Sequence, residues 1–339
     1  MRLLVLSSRA VREVLGYRRC ADAMRSALIA RARGEVFQPL RSVLRPEGAL
    51  GFMALMPSYQ SGPASGYGLK AICITPGNPA AGLDSHQGIV LLSSPQTGQP
   101  LAVMNASAVT EIRTAAVSAV ATSLLANQDA DRLAIVGTGV QARSHLIAIA
   151  ATRPLSEVRI AGTSQAKAAK FVADVAPAAL GEAGAPTIKV VASESAREAV
   201  DGAGIVVTAT TSAVPVLRRD WLTPGTHVNA VGACLPTTRE LDTDTVSGAG
   251  MFADSTESVL AESGDYLLAA ADGAVGRDHI RAEIGDLLAG LASPDQGRRG
   301  AGEITIFESL GLAIEDLAAA IAAYENARDQ GKGSWIDFD

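Results

Sequence analysis

The fold is decided by one stretch of the chain, Leu133-Ala134-Ile135-Val136-Gly137-Thr138-Gly139-Val140-Gln141-Ala142. Its apolar start predicts a short buried strand, and its Gly-x-Gly-x-x-Ala end predicts a tight turn into a helix. Gly137 permits the turn, Gly139 lets the backbone approach a pyrophosphate, and Ala142 keeps the helix close to the strand. The helix N-terminus offers free N–H groups and a partial positive charge. We therefore interpret the stretch as a dinucleotide-binding turn, whose candidate contacts include Thr138, Val140 and Gln141.

The composition is that of a large α/β protein. The chain has 339 residues, 48% hydrophobic and 19% charged, with a net charge of -6. This length favours about two domains. The charge gives no electrostatic reason to expect nucleic acid or an anionic membrane as a partner, and we identify no run long enough to span a membrane. The three cysteines lie far apart without metal-ligand spacing, so we predict no metal site and a cytoplasmic location.

Short apolar strands alternate with helices through the middle of the chain. We predict these strands at residues 133–136, 157–161, 187–191, 204–209, 227–231 and 250–254. They indicate a parallel sheet covered on both faces. A strand at 303–307 and a helix at 310–327 are expected to pack back on the N-terminal region, which has α+β character. The sequence thus predicts a Rossmann-type doubly wound parallel sheet, residues 113–303, inserted into an α+β domain made of residues 1–112 plus 304–339.

Three cations are candidates for binding an anion. Lys70 is the only charge from residue 48 to 83, and Arg113 is the only charge from residue 112 to 128. A cation buried there needs a partner or a shifted pKa. One possibility is that each cation reaches water or pairs with a buried acid. The other is that both act with Arg41 to bind a small anion. Because few acids are near in sequence, we favour the carboxylate of an amino or keto acid.

The strand that carries Lys70 is apolar on both sides. Alternation places Lys70 with Ile72 on one face, and Leu69 with Ala71 on the other. We therefore expect both faces to be buried. His86 follows a Gly/Pro-rich loop and is either a polar pocket group or a structural or exposed residue.

The chain resembles the ornithine cyclodeaminase/μ-crystallin family. The matching residues run in family order over nearly the whole chain: Pro39-x-Arg41, Leu55-Met56-Pro57, Lys70, His86-Gln87, Arg113-Thr114-Ala115-Ala116, Gly137-x-Gly139-x-x-Ala142, Asn229-Ala230-Val231-Gly232, Glu240-Leu241-Asp242 and Thr305-Ile306-Phe307-Glu308-Ser309-Leu310-Gly311. The resemblance implies a homodimer, with a substrate-binding and dimerisation domain built from both chain ends. It also places Arg41, Lys70 and Arg113 at the positions that hold the substrate carboxylate in this family.

The implied chemistry is hydride transfer to or from the α-carbon of a small amino or imino acid. A nicotinamide cofactor supplies the redox chemistry, and the cations orient the carboxylate. Lys70 is the candidate catalytic residue, which moves the amine or imine proton. Arg41, Arg113, His86 and Cys234 are the candidate substrate-binding residues. We therefore predict an imine (ketimine) reductase or an amino-acid dehydrogenase.

Two departures from the family pattern count against its namesake reaction. Cyclodeaminases carry an acid where this chain has Cys234, and a Glu where it has Ala54. Cyclodeamination needs an acceptor for the second amine, so we rank an ornithine- or lysine-type cyclodeaminase below the reductase. A μ-crystallin-like protein that binds NADP(H) and a small molecule is the other alternative.

The second strand of the Rossmann unit bears on the choice of cofactor. An acid at its end would bind the adenosine ribose of NAD, but the strand ends in Gly162-Thr163-Ser164. Thr163 and Ser164, with nearby Lys167, favour the 2′-phosphate of NADP over NAD. The remaining candidate cofactor contacts are Thr114, Thr210, Val231 and Gly232.

Overall fold

The strands predicted between residues 133 and 254 and at 303–307 are all present, whereas those at Ile280–Glu283 and Ser334–Asp337 were not predicted. The structure, a computed structural model, describes residues 1–339 apart from the side chain of Pro79. The strands are β1 (Arg2–Leu6), β2 (Val36–Phe37), β3 (Ser42–Leu44), β4 (Phe52–Gln60), β5 (Gly66–Ile74), β6 (His86–Ser93), β7 (Pro100–Asn105), β8 (Arg132–Val136), β9 (Glu157–Ala161), β10 (Lys189–Ala192), β11 (Ile205–Thr208), β12 (His227–Ala230), β13 (Gly250–Ala253), β14 (Ile280–Glu283), β15 (Thr305–Glu308) and β16 (Ser334–Asp337). The α-helices are α1 (Ser8–Val14), α2 (Tyr17–Ala32), α3 (Ala106–Leu125), α4 (Val140–Thr152), α5 (Gln165–Asp174), α6 (Ala176–Ala183), α7 (Ala196–Val200), α8 (Thr243–Ser247), α9 (Thr256–Glu262), α10 (Gly264–Ala271), α11 (Ile284–Ala289) and α12 (Ala313–Gln330).

The chain divides into two compact units. The first unit consists of Met1–Arg113 and Gly311–Asp339, and the second unit is Thr114–Leu310. The second unit is therefore an insertion between two segments of the first.

The first unit is a mixed sheet covered by helices. Its strand order is β16-β1-β7-β6-β5-β4-β2, with β3 beside β4. Helix α2 buries Tyr17, Cys20 and Met24, a spacing of three or four residues that gives it one apolar face. Helix α12 lies against α2 and β5. A Cβ atom on Gly68 would come within 2.9 Å of Leu317 Cβ, so this glycine permits the close approach of α12 to the sheet.

The second unit is built on a parallel sheet. Its order is β10-β9-β8-β11-β12-β15-β13-β14, and each neighbouring pair is parallel. Leu133 and Ile135 on β8 are fully buried, as expected for a strand covered on both faces. The predicted α/β class is confirmed. The strand order reverses between β8 and β11, and this switch point opens the crevice in which doubly wound sheets bind ligands.

The C-terminal boundary of the inserted domain requires a correction. The sequence analysis assigned residues 304–310 to the first domain, but β15 lies between β12 and β13 in the sheet of the second unit. Ile306 and Phe307 are fully buried there. A strand that is apolar on both faces completes a central position of a parallel sheet, so the chain returns to the first unit only at Gly311.

Two expectations about burial are also corrected. Helix α3 is long and apolar enough to cross a membrane by length and composition, although no such run was expected; 83% of its most apolar window is buried, which is typical of a core helix. On β5, Lys70 and Ile72 are buried on the face that α12 covers, where Asp316 contacts Lys70. Leu69 and Ala71 on the opposite face are only half-buried.

Candidate functional site

Lys70 lies inside the first unit, opposite an acid that the sequence analysis did not identify. It is 3% exposed on β5, in register with Met56 on β4 and Val90 on β6. Its Nζ atom lies 2.7 Å from Oδ2 of Asp316. Burial lowers the pKa of Lys70 to about 8; Asp316 opposes this shift, whereas Arg113 adds to it. Lys70 is therefore mostly protonated at neutral pH and loses its proton more easily than an exposed lysine.

Arg113 pairs with two acids from the first turn of α12. Its Nη1 atom lies 2.8 Å from Oε2 of Glu315, and its Nε atom lies 3.2 Å from Oδ1 of Asp316. All three side chains are buried. Asp316 thus holds the Lys70 ammonium with one oxygen and the Arg113 guanidinium with the other. Few acids are near these cations in the sequence, but the fold brings Glu315 and Asp316 to them. The alternative of pairing with buried acids therefore describes both cations.

Gly311 brings Arg41 and Arg113 to the start of α12. Its φ of +79° is in the left-handed region, and a Cβ atom there would lie 2.6 Å from Nη1 of Arg113. The Gly311 carbonyl accepts a 3.1 Å hydrogen bond from Nη2 of Arg41. Glycine is therefore needed at this position for both conformation and space. We call Arg41, Lys70, Arg113, Glu315 and Asp316 the charged cluster.

His86 lies outside the charged cluster. It begins β6 on the same face of the sheet as Lys70, since β6 pairs in register with β5. Its side chain is exposed, and Nδ1 lies 2.9 Å from the hydroxyl of Ser85. The structure thus supports the exposed alternative.

In the second unit, the turn after β8 has the geometry that a pyrophosphate requires. Gly137 has a φ of +138°, and a Cβ atom there would lie 2.5 Å from the carbonyl oxygen of Ala209. Gly139 is the N-cap of α4, where no side chain caps the first turn, and a Cβ atom there would meet nothing within 4 Å. The first backbone bond of α4 is donated by Arg143, so the N–H groups of Val140, Gln141 and Ala142 precede it. Unused N–H groups and an open backbone fit an anion.

The end of β9 presents hydroxyl groups and no carboxylate. Thr163 and Ser164 are exposed, and Ser164 Oγ caps α5 by accepting a 3.3 Å bond from the Lys167 N–H. A Cβ atom on Gly162 would lie 2.9 Å from the methyl group of Thr138. Thr138 therefore packs directly against this loop, and the predicted contacts of the two loops are neighbours.

Thr210, Val231 and Gly232 follow the ends of β11 and β12. β11 adjoins the switch point and β12 is its parallel neighbour, so the loops after both strands lie at the edge of the sheet where the crevice opens. The buried carboxylate of Glu240 accepts hydrogen bonds from the N–H groups of Thr210, at 2.6 Å, and Gly232, at 2.7 Å. In the sequence, Glu240 is part of the Glu240-Leu241-Asp242 motif, for which no role was predicted.

Cys234 and Thr114 are the remaining candidates of the second unit. Cys234 is half-buried, and its thiol donates to the Val231 carbonyl at 3.3 Å. Thr114 is buried in α3, and its Oγ1 atom has no hydrogen-bond partner among the described residues. A thiol engaged in this way cannot replace the carboxylate that an amine would need.

One sequence signal could have identified the missed acids of α12. Glu315 and Asp316 are the only charges from residue 309 to 324, in an otherwise apolar helix. They are as isolated among apolar residues as Lys70 and Arg113 are. Isolated charges of opposite sign in buried elements are candidates for pairing.

Comparisons with known proteins match both units. The sequence model of the Ornithine cyclodeaminase/mu-crystallin family matches residues 1–331. Ketimine reductase mu-crystallin of Mus musculus is 39% identical over 293 residues, which cover 86% of each protein. The structure of Thermococcus litoralis Delta(1)-pyrroline-2-carboxylate reductase in complex with NADH and L-proline is 35% identical, with a TM-score of 0.91, and the match covers 98% of this chain and 99% of that one. An archaeal alanine dehydrogenase dimer with bound NAD is 32% identical, with a TM-score of 0.90 and complete coverage of both chains.

Proposed function

The chain belongs to the ornithine cyclodeaminase/mu-crystallin family, and from that premise we propose that it is an NAD(P)-dependent reductase or dehydrogenase of small imino and amino acids. The observation that carries this proposal is the charged cluster of the first unit. A buried lysine with a pKa of about 8 lies beside arginines that suit a carboxylate. Relatives named for the reduction of ketimines and for the dehydrogenation of alanine support the same chemistry.

The second unit binds the dinucleotide. The backbone at Gly137 and Gly139 and the first turn of α4 hold the pyrophosphate, because this turn has unused N–H groups and no side chain in the way. A nicotinamide dinucleotide bound there supplies the hydride for the reduction of a C=N bond. Thr163, Ser164 and Lys167 favour NADP over NAD, since the end of β9 offers hydroxyl groups and an ammonium but no carboxylate.

The first unit binds and orients the acid. Arg113 and Arg41 provide guanidinium groups for the substrate carboxylate, and the contacts of Arg113 with Glu315 and Asp316 fix its orientation before substrate arrives. Lys70 in its protonated form donates a proton to the imine nitrogen. In the reverse direction, neutral Lys70 accepts a proton from the amine.

Cyclodeaminase activity is not favoured. Cys234 replaces the acid of cyclodeaminases and donates its thiol proton to a backbone carbonyl. Ala54 is buried on β4, between Val43 of β3 and Ile72 of β5. Neither side chain can accept the proton of a second amine.

The face of the first unit's sheet that lies opposite α12 supports a homodimer. Leu69, Ala71 and Cys73 are half-buried on β5, and Ile89 on β6 is exposed. An apolar sheet face of this kind is typical of an interface between subunits. We therefore propose a homodimer that acts on a small-molecule substrate. The three cysteines, far apart and without metal-ligand spacing, support a cytoplasmic location.

Turnover of defined imines tests the proposed function. Oxidation of NADPH and NADH is followed with Δ1-pyrroline-2-carboxylate, with a six-membered cyclic ketimine, and with pyruvate plus ammonia or methylamine. We expect turnover with at least one of these and its loss in Lys70→Met. Tight NADPH binding without turnover of any imine or amino acid would instead indicate a μ-crystallin-like protein that binds NADP(H) and a small molecule without catalysis. Release of ammonia from ornithine or lysine, with formation of a cyclic amino acid, would indicate a cyclodeaminase.

A further inference from the structure

One buried carboxylate joins two loops at equivalent positions. Thr208 and Ala230, the last residues of β11 and β12, are register partners. Thr210 and Gly232 each lie two residues further on. Oε1 of Glu240 accepts from the Thr210 N–H at 2.6 Å, and Oε2 accepts from the Gly232 N–H at 2.7 Å. Each oxygen of a single side chain therefore holds one loop.

The backbone of Glu240 is itself fixed on both sides. Its N–H donates to Oδ1 of the buried Asp265 at 2.7 Å, and its carbonyl accepts from the N–H groups of Val216, at 2.7 Å, and Leu217, at 3.0 Å. The Leu241 N–H donates to the same Asp265 oxygen at 2.8 Å. A carboxylate held at both its backbone and its oxygens has one position available, and the loops that it binds share that position.

Glycines allow these loops to approach one another at the backbone. A Cβ atom on Gly232 would lie 2.2 Å from the Thr210 carbonyl oxygen and 2.7 Å from Cδ of Glu240. One residue before Thr210, the Ala209 carbonyl packs against Gly137 in the same way. The turn at Gly137, the loop after β11 and the loop after β12 thus form a continuous series of close contacts that ends at Glu240.

Burying the carboxyl group of Glu240 costs free energy that an apolar side chain would not. Burial raises the pKa of Glu240, although its hydrogen bonds to the two loops favour the charged form. Burial also raises the pKa of its neighbour Asp265, to about 7. An apolar residue of similar volume would avoid these costs, but it could not accept two N–H groups.

We propose that Glu240 is a positioning residue that holds the β11 and β12 loops in the shape that binds the nicotinamide half of the dinucleotide. In a doubly wound fold, the two mononucleotide halves lie on opposite sides of the switch point. Strands β8, β9 and β10 lie on one side here, and β11 and β12 lie on the other. Of these loops, Glu240 hydrogen-bonds only to those after β11 and β12, so we expect its loss to act mainly on that half. This inference rests on the proposed dinucleotide-dependent function.

The test compares binding of each reduced dinucleotide with binding of the same molecule without nicotinamide: NADPH with 2′-phospho-ADP-ribose, and NADH with ADP-ribose. Glu240→Gln keeps the shape of the side chain but turns an amide NH2 toward one of the two N–H groups. We expect this variant to bind the reduced dinucleotide about tenfold more weakly or worse, as the loss of a charged hydrogen bond implies, and to bind the molecule without nicotinamide as the wild type does. The value of kcat with an imine should fall, while KM for the imine should change little. Glu257→Gln, at an exposed glutamate of α9, is the matched control and should resemble the wild type in each measurement.

Two results would overturn the inference. Equal loss of binding of the reduced dinucleotide and of the molecule without nicotinamide in Glu240→Gln, with a lower unfolding temperature, would make Glu240 a residue of general stability. Unchanged dinucleotide binding and kcat would remove any positioning role. Fluorescence and calorimetric titrations separate this test from the proposed function: a wild-type protein that binds NADPH or NADH but reduces no imine refutes the reductase and leaves the binding comparison decisive. A wild type that binds neither NADPH nor NADH refutes both proposals.

Discussion

The ammonium of Lys70 lies 2.7 Å from Oδ2 of Asp316, although the two residues come from opposite ends of the chain. Asp316 stabilises the charged form of Lys70, but burial outweighs this effect and lowers the pKa of Lys70 from 10.5 to about 8. An isolated buried lysine would lose its proton at lower pH. The pair therefore keeps Lys70 protonated at neutral pH and able to release a proton.

The pH dependence of the two reaction directions should be opposite. Reduction needs protonated Lys70, so kcat for imine reduction should fall as the pH rises through about 8. Oxidation needs neutral Lys70, so kcat for amino-acid oxidation should rise over the same range. Steady-state rates from pH 6 to 10 in both directions measure this. Parallel profiles in the two directions would contradict the assignment of Lys70 as the proton donor and acceptor.

Lys70→Met should impair the chemical step and leave nucleotide binding intact. General acid–base catalysis contributes about 10²- to 10⁴-fold, so kcat should fall by that factor. Stopped-flow single turnovers with bound NADPH measure the step directly, and fluorescence titration measures NADPH affinity. Lys332→Met removes an exposed lysine of the same unit and serves as control. Near-normal single turnovers in Lys70→Met would exclude proton transfer by Lys70.

Arg113→Ala should weaken both substrate binding and stability. The variant leaves Glu315 and Asp316 buried with one cation fewer, which costs about 3–5 kcal/mol in comparable cases. Adding Glu315→Gln should recover part of that loss, because it removes one of the uncompensated charges. Urea unfolding of the two single variants and the double variant gives the coupling energy. Strictly additive free energies would show that the two side chains do not interact.

The same Arg113→Ala variant should weaken substrate binding without weakening cofactor binding. We expect KM for the imino acid to rise while NADPH affinity stays near the wild-type value, because a carboxylate contact is lost and the dinucleotide turn is unchanged. Arg9→Ala, at an exposed arginine of α1 paired with Glu13, is the control for loss of a surface guanidinium. Abolished NADPH binding would contradict the assignment of Arg113 to the substrate.

A single acid at the end of β9 should change the cofactor preference. Thr163→Asp places a carboxylate where it repels a 2′-phosphate and can accept from a ribose hydroxyl. The ratio of NADPH to NADH dissociation constants should rise about tenfold or more, as measured by fluorescence titration. Lys167→Ala should weaken NADPH alone, whereas Lys170→Ala, one turn along α5 and paired with Asp174, should weaken neither. A ratio unchanged in both Thr163→Asp and Lys167→Ala would place the 2′-phosphate elsewhere.

The local features of the chain could be predicted from its sequence. The turn at Gly137 depends on a positive φ and the absence of a Cβ atom, which are properties of that residue alone. Runs of apolar residues located seven of the eight strands of the second unit to within a few residues, because a strand buried on both faces must be apolar along its length. The edge strand β14, which carries Arg281 and Glu283, was not predicted because it is not an apolar run. The isolation of Lys70 and Arg113 among apolar neighbours showed that both needed partners.

The tertiary structure alone decided which residues meet. Glu315 and Asp316 reach Arg113 and Lys70 because the chain returns to the first unit after the insertion. The spacing of apolar residues in the sequence does not predict this return. β15 has the pattern of any buried strand, so only the sheet order shows that it belongs to the second unit. Apolar periodicity and turn chemistry act over a few residues, whereas ion pairing and loop bridging depend on the whole path of the chain. The sequence therefore determined the elements and the chemistry that they need, and the fold determined the partners.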